Sequence, residues 1–401
     1  MSNPLARADS PESAGLDLAA VEKLVSRLHA LVESGAVPSA QFAIARNGCI
    51  AVEVAAGEFR AAGRLQSATP KSLYLAFSTT KAVTSSAIWL LLQDGKLGIS
   101  DRVADHIPEF GTNGKQDVLV EHLLTHTAGF PVAPFDALEW GDRERRLERF
   151  SEWRLDWPPG ERFQYHGLSS MWVLAELIER AGGQDFRTFI HERIVDPLGL
   201  RDFYVGLPVE ANARVADIEE VGDAPDSERL RTTGLSISPE MVGADREMQR
   251  YNRPEIRAVG VPGGGLVASA SGLAMFYQAL LSDGCASDGT RIWQSDTLRE
   301  ALRVRTGDLL DPMTRQAANR ALGVAVAGDE KRVFRAFSPK NSPTAFGHAG
   351  AGGQIAWADP ANGLSFVFLT NGFDRDPMAL GLRGIKFSSA AIRCAQPCPG
   401  T

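Results

Sequence analysis

The sequence predicts an α/β (α+β) fold, in which one antiparallel sheet is built from both chain ends and flanked by helices. Helical and strand patterns precede residue 75, and more strands with a final helix follow residue 322, whereas the middle is mostly helical and loop-rich. The simplest assembly of such a chain is a sheet lobe with a second lobe made by the middle. We therefore expect an α/β sheet lobe from residues 1–75 and 260–401, and a mostly helical lobe from 76–259.

The first elements are a helix and a hairpin. Asp17 is placed to cap a helix over residues 18–32, where apolar residues recur at helical spacing. Asn47-Gly48 then lies between two apolar runs, 40–45 and 49–55, which is a strong hairpin signal. The N-terminal part of the sheet is therefore predicted to be this strand pair.

Helices and loops make up the middle of the chain. An apolar run at 73–77 gives way to a helix that starts at Ser78 and ends near Asp94, and a later helix covers 168–181. Residues 201–258 carry little periodicity and are interpreted as loops over the body of the protein. Gly263-Gly264-Gly265 precede a helix of about 271–281 but lack the pattern of a phosphate or dinucleotide loop, so nucleotide binding is not expected.

The last hundred residues are rich in β-strand signals. A turn at 359–363 joins the last two candidate strands, and a final helix is predicted over 377–395. The candidate strands are 322–326, 332–336, 354–358 and 364–370. These strands complete the sheet that the N-terminal hairpin begins.

Composition excludes several functions. The chain of 401 residues has a net charge of −7 and no basic stripe, so nucleic acid is not expected as a partner. It has no apolar run of about 18 residues, so no membrane span is expected. The N-terminus has no apolar signal core, and the four cysteines suit a reducing compartment, so we expect a cytoplasmic protein.

No metal or other cofactor is predicted. Cys394 and Cys398 lie close together without further ligands nearby, and they are interpreted as tail residues without a role. His122 and His126 are four residues apart, a spacing that can form half a metal site on a helix. Because no acidic residue lies between them and no third ligand is evident, the structural interpretation, polar groups at a helix end, is preferred.

The candidate catalytic residues begin with Ser78 and Lys81. Of the eight lysines in the chain, only Lys81 has a serine three positions earlier. One helical turn puts the hydroxyl and the amine on the same face, and a helix N-terminus favours negative charge on the serine oxygen. A serine hydroxyl needs an adjacent base, and Lys81 can serve if burial keeps it neutral.

Two further groups are needed for acyl transfer. Tyr165, if it faces the same cleft, can share the proton and pass it to the leaving group. Backbone N–H groups must hold the developing oxyanion, and the glycine-rich stretch 347–353 is a good candidate because small residues let a backbone edge approach a substrate.

Five motifs occur in an order that resembles the serine β-lactamase-like superfamily, in its class C β-lactamase and D-alanyl-D-alanine carboxypeptidase branch. The closest pattern within it is that of the family VIII carboxylesterases. The motifs, in chain order, are Ser-x-x-Lys at 78–81, Leu-Leu-Thr-His-Thr-Ala-Gly at 123–129, Pro-Gly-x-x-x-x-Tyr at 159–165, Gly-Gly-Gly-Leu-Val at 263–267 and His-x-Gly at 348–350. The similarity covers nearly the whole chain and implies a β-lactamase/transpeptidase-like fold with the active site between the lobes.

The resemblance also implies roles for individual residues. Ser78 corresponds to the acylated nucleophile, Lys81 to its base partner and Tyr165 to the tyrosine of a Tyr-x-Asn motif. The N–H groups of Ser78 and Ala351 correspond to the oxyanion hole. The candidate substrate-binding residues are His348, Gly350, Trp157 and His166. Trp157 belongs with Trp140 and Trp153 to a tryptophan group that forms either core packing or a wall of an acyl pocket.

Two departures from the family pattern favour esters as substrates. The Tyr-x-Asn motif reads Tyr165-His166-Gly167, so the asparagine that resembles an anchor for a substrate amide is missing. His348 stands where lactamases usually carry lysine. The predicted activity is a carboxylesterase that cleaves short-acyl small-molecule esters through an acyl-serine. The alternatives are a β-lactamase or D-Ala-D-Ala carboxypeptidase, and a penicillin-binding-like protein with a dead site.

Overall fold

A computed structural model describes residues 5–223 and 248–396 of the chain. Its largest element is a seven-stranded antiparallel sheet with the strand order β3-β2-β1-β11-β10-β9-β8. The strands are β1 (Ser39–Arg46), β2 (Cys49–Ala61), β3 (Arg64–Ser67), β4 (Tyr74–Leu75), β5 (Phe203–Val205), β6 (Glu219–Val221), β7 (Leu266–Ala268), β8 (Ala325–Val326), β9 (Phe346–Gly350), β10 (Gln354–Asp359), β11 (Leu364–Thr370) and β12 (Gly372–Asp374). The sheet therefore combines strands from both chain ends, and the predicted fold class is confirmed.

The helices cover both faces of this sheet and fill the middle of the chain. The α-helices are α1 (Leu18–Glu33), α2 (Thr80–Gln93), α3 (Val103–His106), α4 (Val120–Leu124), α5 (Arg143–Glu152), α6 (Ser169–Gly182), α7 (Phe186–Ile190), α8 (Pro254–Val259), α9 (Ala270–Leu281), α10 (Ser295–Leu302) and α11 (Pro377–Ala391). A π-helical turn, His191–Val195, continues α7, and a 3₁₀ turn, Ile392–Cys394, continues α11.

Strand alternation separates two hydrophobic cores. In β1 and β11, Phe42 pairs with Phe368 and Ala43 with Val367, so successive residues point to opposite faces. The Phe42 face belongs to the core under α1 and α11. The Ala43 face belongs to the larger core that α9 and the helical middle share. Burial on both faces, along the whole length of β11, explains why the strand is mostly apolar.

The N-terminal predictions agree with the structure. The Asp17 carboxylate accepts a hydrogen bond of 2.7 Å from the Ala20 N–H, which satisfies a donor at the start of α1. Asn47 and Gly48 both have positive φ, 54° and 75°, and form the turn between β1 and β2. The hairpin joins the C-terminal strands through β1 and β11.

Some C-terminal predictions were wrong. The predicted strand at 332–336 is a 3₁₀ helix, Arg332–Arg335. The guanidinium groups of Arg332 and Arg335 bind backbone carbonyls, including Asp329 O at 2.9 Å and Ala327 O at 2.7 Å. These contacts are local and hold the segment in a turn, which apolar content alone does not reveal. The predicted strand at 322–326 is shortened to Ala325–Val326.

A small sheet links the two ends of the chain to its middle. β7 pairs antiparallel with both β4 and β5, through Leu75 with Val267 and Tyr204 with Val267. β4 leads directly into the residues before α2, so this sheet fixes where α2 begins. The division into a sheet lobe of residues 1–75 and 260–401 and a helical lobe of 76–259 stays a prediction. Residues 224–247 of the predicted loop region and Cys398 lie outside the described residues.

Within residues 5–223 and 248–396, no helix combines the length and the apolar character that crossing a bilayer requires.

Replacing Asp17 by Ala should destabilise the protein by about 1 kcal/mol, because the α1 N-terminus loses its side-chain acceptor. The measurement is urea-induced unfolding followed by circular dichroism. Glu22→Ala, at an exposed position of the same helix, is the matched control and should change stability by less than about 0.5 kcal/mol. Equal effects of the two substitutions would contradict the cap.

Candidate active site

Ser78 lies in a 3₁₀ turn, Phe77–Thr79, immediately before α2. Phe77 has a φ of 44°, an uncommon conformation for a bulky residue. Its ring is fixed edge-on against Tyr251, with ring centroids 5.5 Å apart. The Thr80 hydroxyl accepts a hydrogen bond of 3.0 Å from the Leu266 N–H of β7. Packing on one side and this bond on the other hold the turn that presents the Ser78 hydroxyl.

Lys81 is fully buried and its amine lies on the Ser78 hydroxyl. The Nζ–Oγ distance is 3.1 Å, and Nζ also donates a hydrogen bond of 2.8 Å to the Gly263 carbonyl. Burial lowers the pKa of Lys81, opposed by Tyr165 and assisted by the positive charge of Arg320. Since no carboxylate pairs with this amine among the residues described, the neutral form that can accept a proton is accessible.

The predicted third member of the site joins this pair. Lys81 Nζ lies 5.0 Å from the centroid of the Tyr165 ring. The Tyr165 side chain is half-buried, so its phenol ring reaches the buried amine and is also accessible to a molecule in the cleft. The Ser78 and Lys81 side chains of one segment therefore meet Tyr165, which comes from a distant part of the chain.

His126 holds the segment that carries Tyr165. Its carbonyl accepts a hydrogen bond of 3.2 Å from the Gln164 N–H, and its Nδ1 accepts one of 3.3 Å from the His166 N–H. Its ring also contacts the Tyr165 ring, with centroids 4.7 Å apart. Burial, with the nearby charge of Arg320, holds the pKa of His126 well below its usual value of 6.5, so this ring is neutral.

His122 has a different and local role at the start of α4. Its Nδ1 accepts a hydrogen bond of 3.1 Å from the Leu119 N–H. Among the residues that the structure describes, no group of three or more histidine, cysteine, aspartate or glutamate side chains is arranged to hold a metal ion. His122 and His126, four residues apart, each accept a structural hydrogen bond from a backbone N–H group.

His166, which we expected to contact substrate, uses both ring nitrogens on the backbone. Its Nδ1–H donates to the Gln164 carbonyl at 2.7 Å, and its Nε2 accepts from the Phe130 N–H at 3.1 Å. The ring is fully buried, and burial lowers its pKa to about 4. This geometry assigns His166 to supporting the Tyr165 loop. Trp157 is half-buried beside it, with ring centroids 6.4 Å apart.

His348 and Arg320 close the site on the side of β9. His348 Nδ1–H donates to the Ala349 carbonyl at 2.6 Å, and Nε2 accepts from Arg320 Nη1 at 3.3 Å. Burial and the charges of Arg320 and Lys81 hold the pKa of His348 well below 6.5. The Arg320 guanidinium lies 5.6 Å from the Tyr165 ring centroid. The neutral His348 imidazole therefore hydrogen-bonds both to the β9 backbone and to the Arg320 guanidinium, which lies beside the Tyr165 ring.

β9 passes close to the turn that carries the nucleophile. A Cβ added at Gly350 would lie 2.6 Å from the Ala76 carbonyl oxygen, so only glycine fits there. This approach brings the segment that contains Ala351 alongside the Ser78 turn, as an oxyanion hole formed by these two N–H groups requires. The assignment of both N–H groups as oxyanion donors remains a prediction.

This arrangement is suited to proton removal from a serine. A hydroxyl 3.1 Å from a buried amine, with a phenol beside the amine, can be deprotonated as it attacks an acyl carbon. The fold and this site are those of the serine hydrolase superfamily. The chain belongs to the beta-lactamase family, whose model matches residues 23–388.

Comparisons with individual proteins agree with this membership. The esterase/beta-lactamase LipL of Mycobacterium tuberculosis is 28% identical over 311 residues, covering 74% of this chain and 68% of LipL. A penicillin-binding protein homolog from Caulobacter crescentus is 27% identical with a TM-score of 0.76, covering 96% of this chain and 98% of that one. A family VIII carboxylesterase structure is 26% identical, also with a TM-score of 0.76, covering 95% and 99%.

Two residues of the site were missed or undervalued in the sequence. His126 was interpreted as a helix-end residue, although its position inside the motif at 123–129 could have linked it to the site. Arg320 was not singled out. The available signal was a lone arginine before the apolar stretch 321–327, where a charged residue must find a buried environment.

Lys81→Met should reduce labelling of Ser78 by a fluorophosphonate probe on the order of 10³-fold or more, because the hydroxyl loses its base. Ser78→Ala should abolish labelling. The rate is measured by intact-protein mass spectrometry. Lys115→Met is the matched control, since Lys115 is also a buried lysine bonded to carbonyls but lies outside the site. Labelling of another serine would contradict the assignment.

Tyr165→Phe should lower the rate of ester turnover by about 10²- to 10⁴-fold, the usual contribution of a general acid–base group. The hydroxyl is removed while the ring that packs on His126 is kept. Steady-state kinetics with p-nitrophenyl butyrate measure the change. Phe163→Leu, which alters another ring contact of His126 without removing a hydroxyl, is the control. Full activity of Tyr165→Phe would remove this residue from the mechanism.

Proposed function

We propose that the protein is a carboxylesterase that cleaves short-acyl esters of small molecules through an acyl-serine intermediate. The observation that carries the proposal is the buried Lys81 amine, 3.1 Å from the Ser78 hydroxyl and in contact with no carboxylate among the described residues. In the proposed reaction the Ser78 oxygen forms a bond to the acyl carbon as its proton passes to Lys81. Tyr165 relays a proton to the departing alkoxide, and water then releases the acid.

Substitution of the Tyr-x-Asn asparagine supports esters over amides. Gly167 occupies its position, and the preceding His166 is committed to the backbone through both ring nitrogens. The motif therefore offers no side-chain amide to pair with a substrate amide. An ester has no N–H group that needs an acceptor. The missing asparagine therefore weakens the binding of an ester less than the binding of an amide.

The named relatives leave lactam cleavage as the second candidate. LipL is described as an esterase/beta-lactamase, and the Caulobacter crescentus protein as a penicillin-binding protein homolog. A serine that attacks esters can also attack a strained amide. Lactam turnover is therefore proposed only as a slower side activity of the same serine.

The purified protein should hydrolyse p-nitrophenyl acetate and butyrate with kcat/KM at least about 10²-fold above that for a chromogenic cephalosporin, the scale of a lost polar recognition contact. Ser78→Ala is the control and should be inactive on all three. Faster cephalosporin turnover would overturn the esterase assignment. A single burst of one equivalent without turnover would instead identify a site that acylates but does not release product.

A further inference from the structure

Arg320 is a half-buried arginine at the site for which the acyl-serine mechanism above has no role. Its guanidinium donates through Nη1 to His348 Nε2 at 3.3 Å, and within the described residues its Nε is buried without a hydrogen-bond partner. Its charge also lies 5.6 Å from the ring centroids of Tyr165 and Phe163. Burying one nitrogen of a cation without an acceptor is costly, and among the described residues no salt bridge to a carboxylate offsets that cost. Such a cost suggests a function.

We propose that Arg320 is a positioning residue whose positive charge sets the proton distribution between Lys81 and Tyr165, so that the base exists at neutral pH. The inference rests on the proposed acyl-serine chemistry. A fixed positive charge disfavours the Lys81 ammonium and favours negative charge on the Tyr165 oxygen. Both effects move the pair toward the state that accepts the Ser78 proton.

The direction of this effect follows from the groups around Arg320. An arginine stays protonated throughout the accessible pH range, so its charge is constant. Lys81 is the other cation that it faces in the site, and it lowers the pKa of Lys81. The negative charge of Asp311 raises the pKa of Arg320, and the positive charge of Arg335 lowers it. Arg335 is itself paired with Asp329 at 2.6 Å, so most of its charge is neutralised locally.

The two histidines that face Arg320 are neutral and cannot substitute for it. His348 and His126 both have pKa values held well below 6.5, mainly by burial and next by Arg320 itself. His348 stands where lactamases usually carry lysine. At this position the chain therefore has an uncharged ring instead of a cation. The permanent charge next to Tyr165 comes from a different segment, the residue before the apolar stretch that leads into β8.

The test is the pH dependence of Ser78 labelling by a fluorophosphonate, which needs no ester substrate. In Arg320→Gln the acidic limb of the rate profile should move to higher pH by about one unit, the scale expected for the loss of one neighbouring charge. Labelling at pH 6.5 should fall about tenfold, whereas the plateau above pH 9 should stay within about threefold. Arg320→Lys keeps the charge and should recover most of the shift.

Arg335→Gln is the matched control, because it removes a nearby buried guanidinium that is already paired with Asp329. Its acidic limb should coincide with that of the unaltered protein. Arg320→Met, whose apolar chain needs no hydrogen-bond partner, replaces Arg320→Gln if the latter unfolds. A lower plateau in Arg320→Gln without a shift of the acidic limb would overturn the inference. So would an acidic limb that shifts as far in Arg320→Lys as it does in Arg320→Gln. No labelling of the unaltered protein at any pH would instead refute the acyl-serine proposal.

Discussion

The structure depends on excluding water from the amine of Lys81. Lys81 Nζ is enclosed between the Ser78 hydroxyl, the Gly263 carbonyl and the Tyr165 ring. An ammonium in this position would lack a carboxylate partner among the described residues, so burial favours the neutral amine. That condition requires α2 to be buried along nearly its whole length, which it is. A Cβ added at Gly263 would lie 2.9 Å from the Leu168 side chain, so a larger residue there would displace that side chain.

The electrostatics of the site favour negative charge that develops during a reaction. Arg320 carries a positive charge 5.6 Å from the Tyr165 ring centroid, and the surrounding rings of His126, His166 and His348 are neutral. In the part of the chain that the structure describes, no salt bridge joins this guanidinium to a carboxylate, so a phenolate or an oxyanion is the available anion. Preorganised positive charge of this kind stabilises a transition state more than it stabilises a neutral ester.

Most of the fold could be predicted because its signals are local. The Asp17 cap, the Asn47-Gly48 turn and the apolar strand at 364–370 each depend on residues adjacent in sequence, and all three agree with the structure. The segment at 332–336 could not be predicted this way. Its 3₁₀ turn is held by arginines that bind the carbonyls of the flanking residues Asn341 and Ala327, and a strand propensity does not register such partners.

The sequence by itself determined the proximity of Ser78 and Lys81 and the family. Ser78 and Lys81 are one helical turn apart, so their proximity follows from local geometry, and five ordered motifs carry the resemblance that the comparisons confirm. The tertiary structure decided which other side chains reach that pair. The His166 ring bonds the backbone of Phe130, 36 residues earlier, and Arg320 lies beside Tyr165, 155 residues before it in the chain. Charge and hydrogen bonding act through space, so these roles became visible only when the chain was folded.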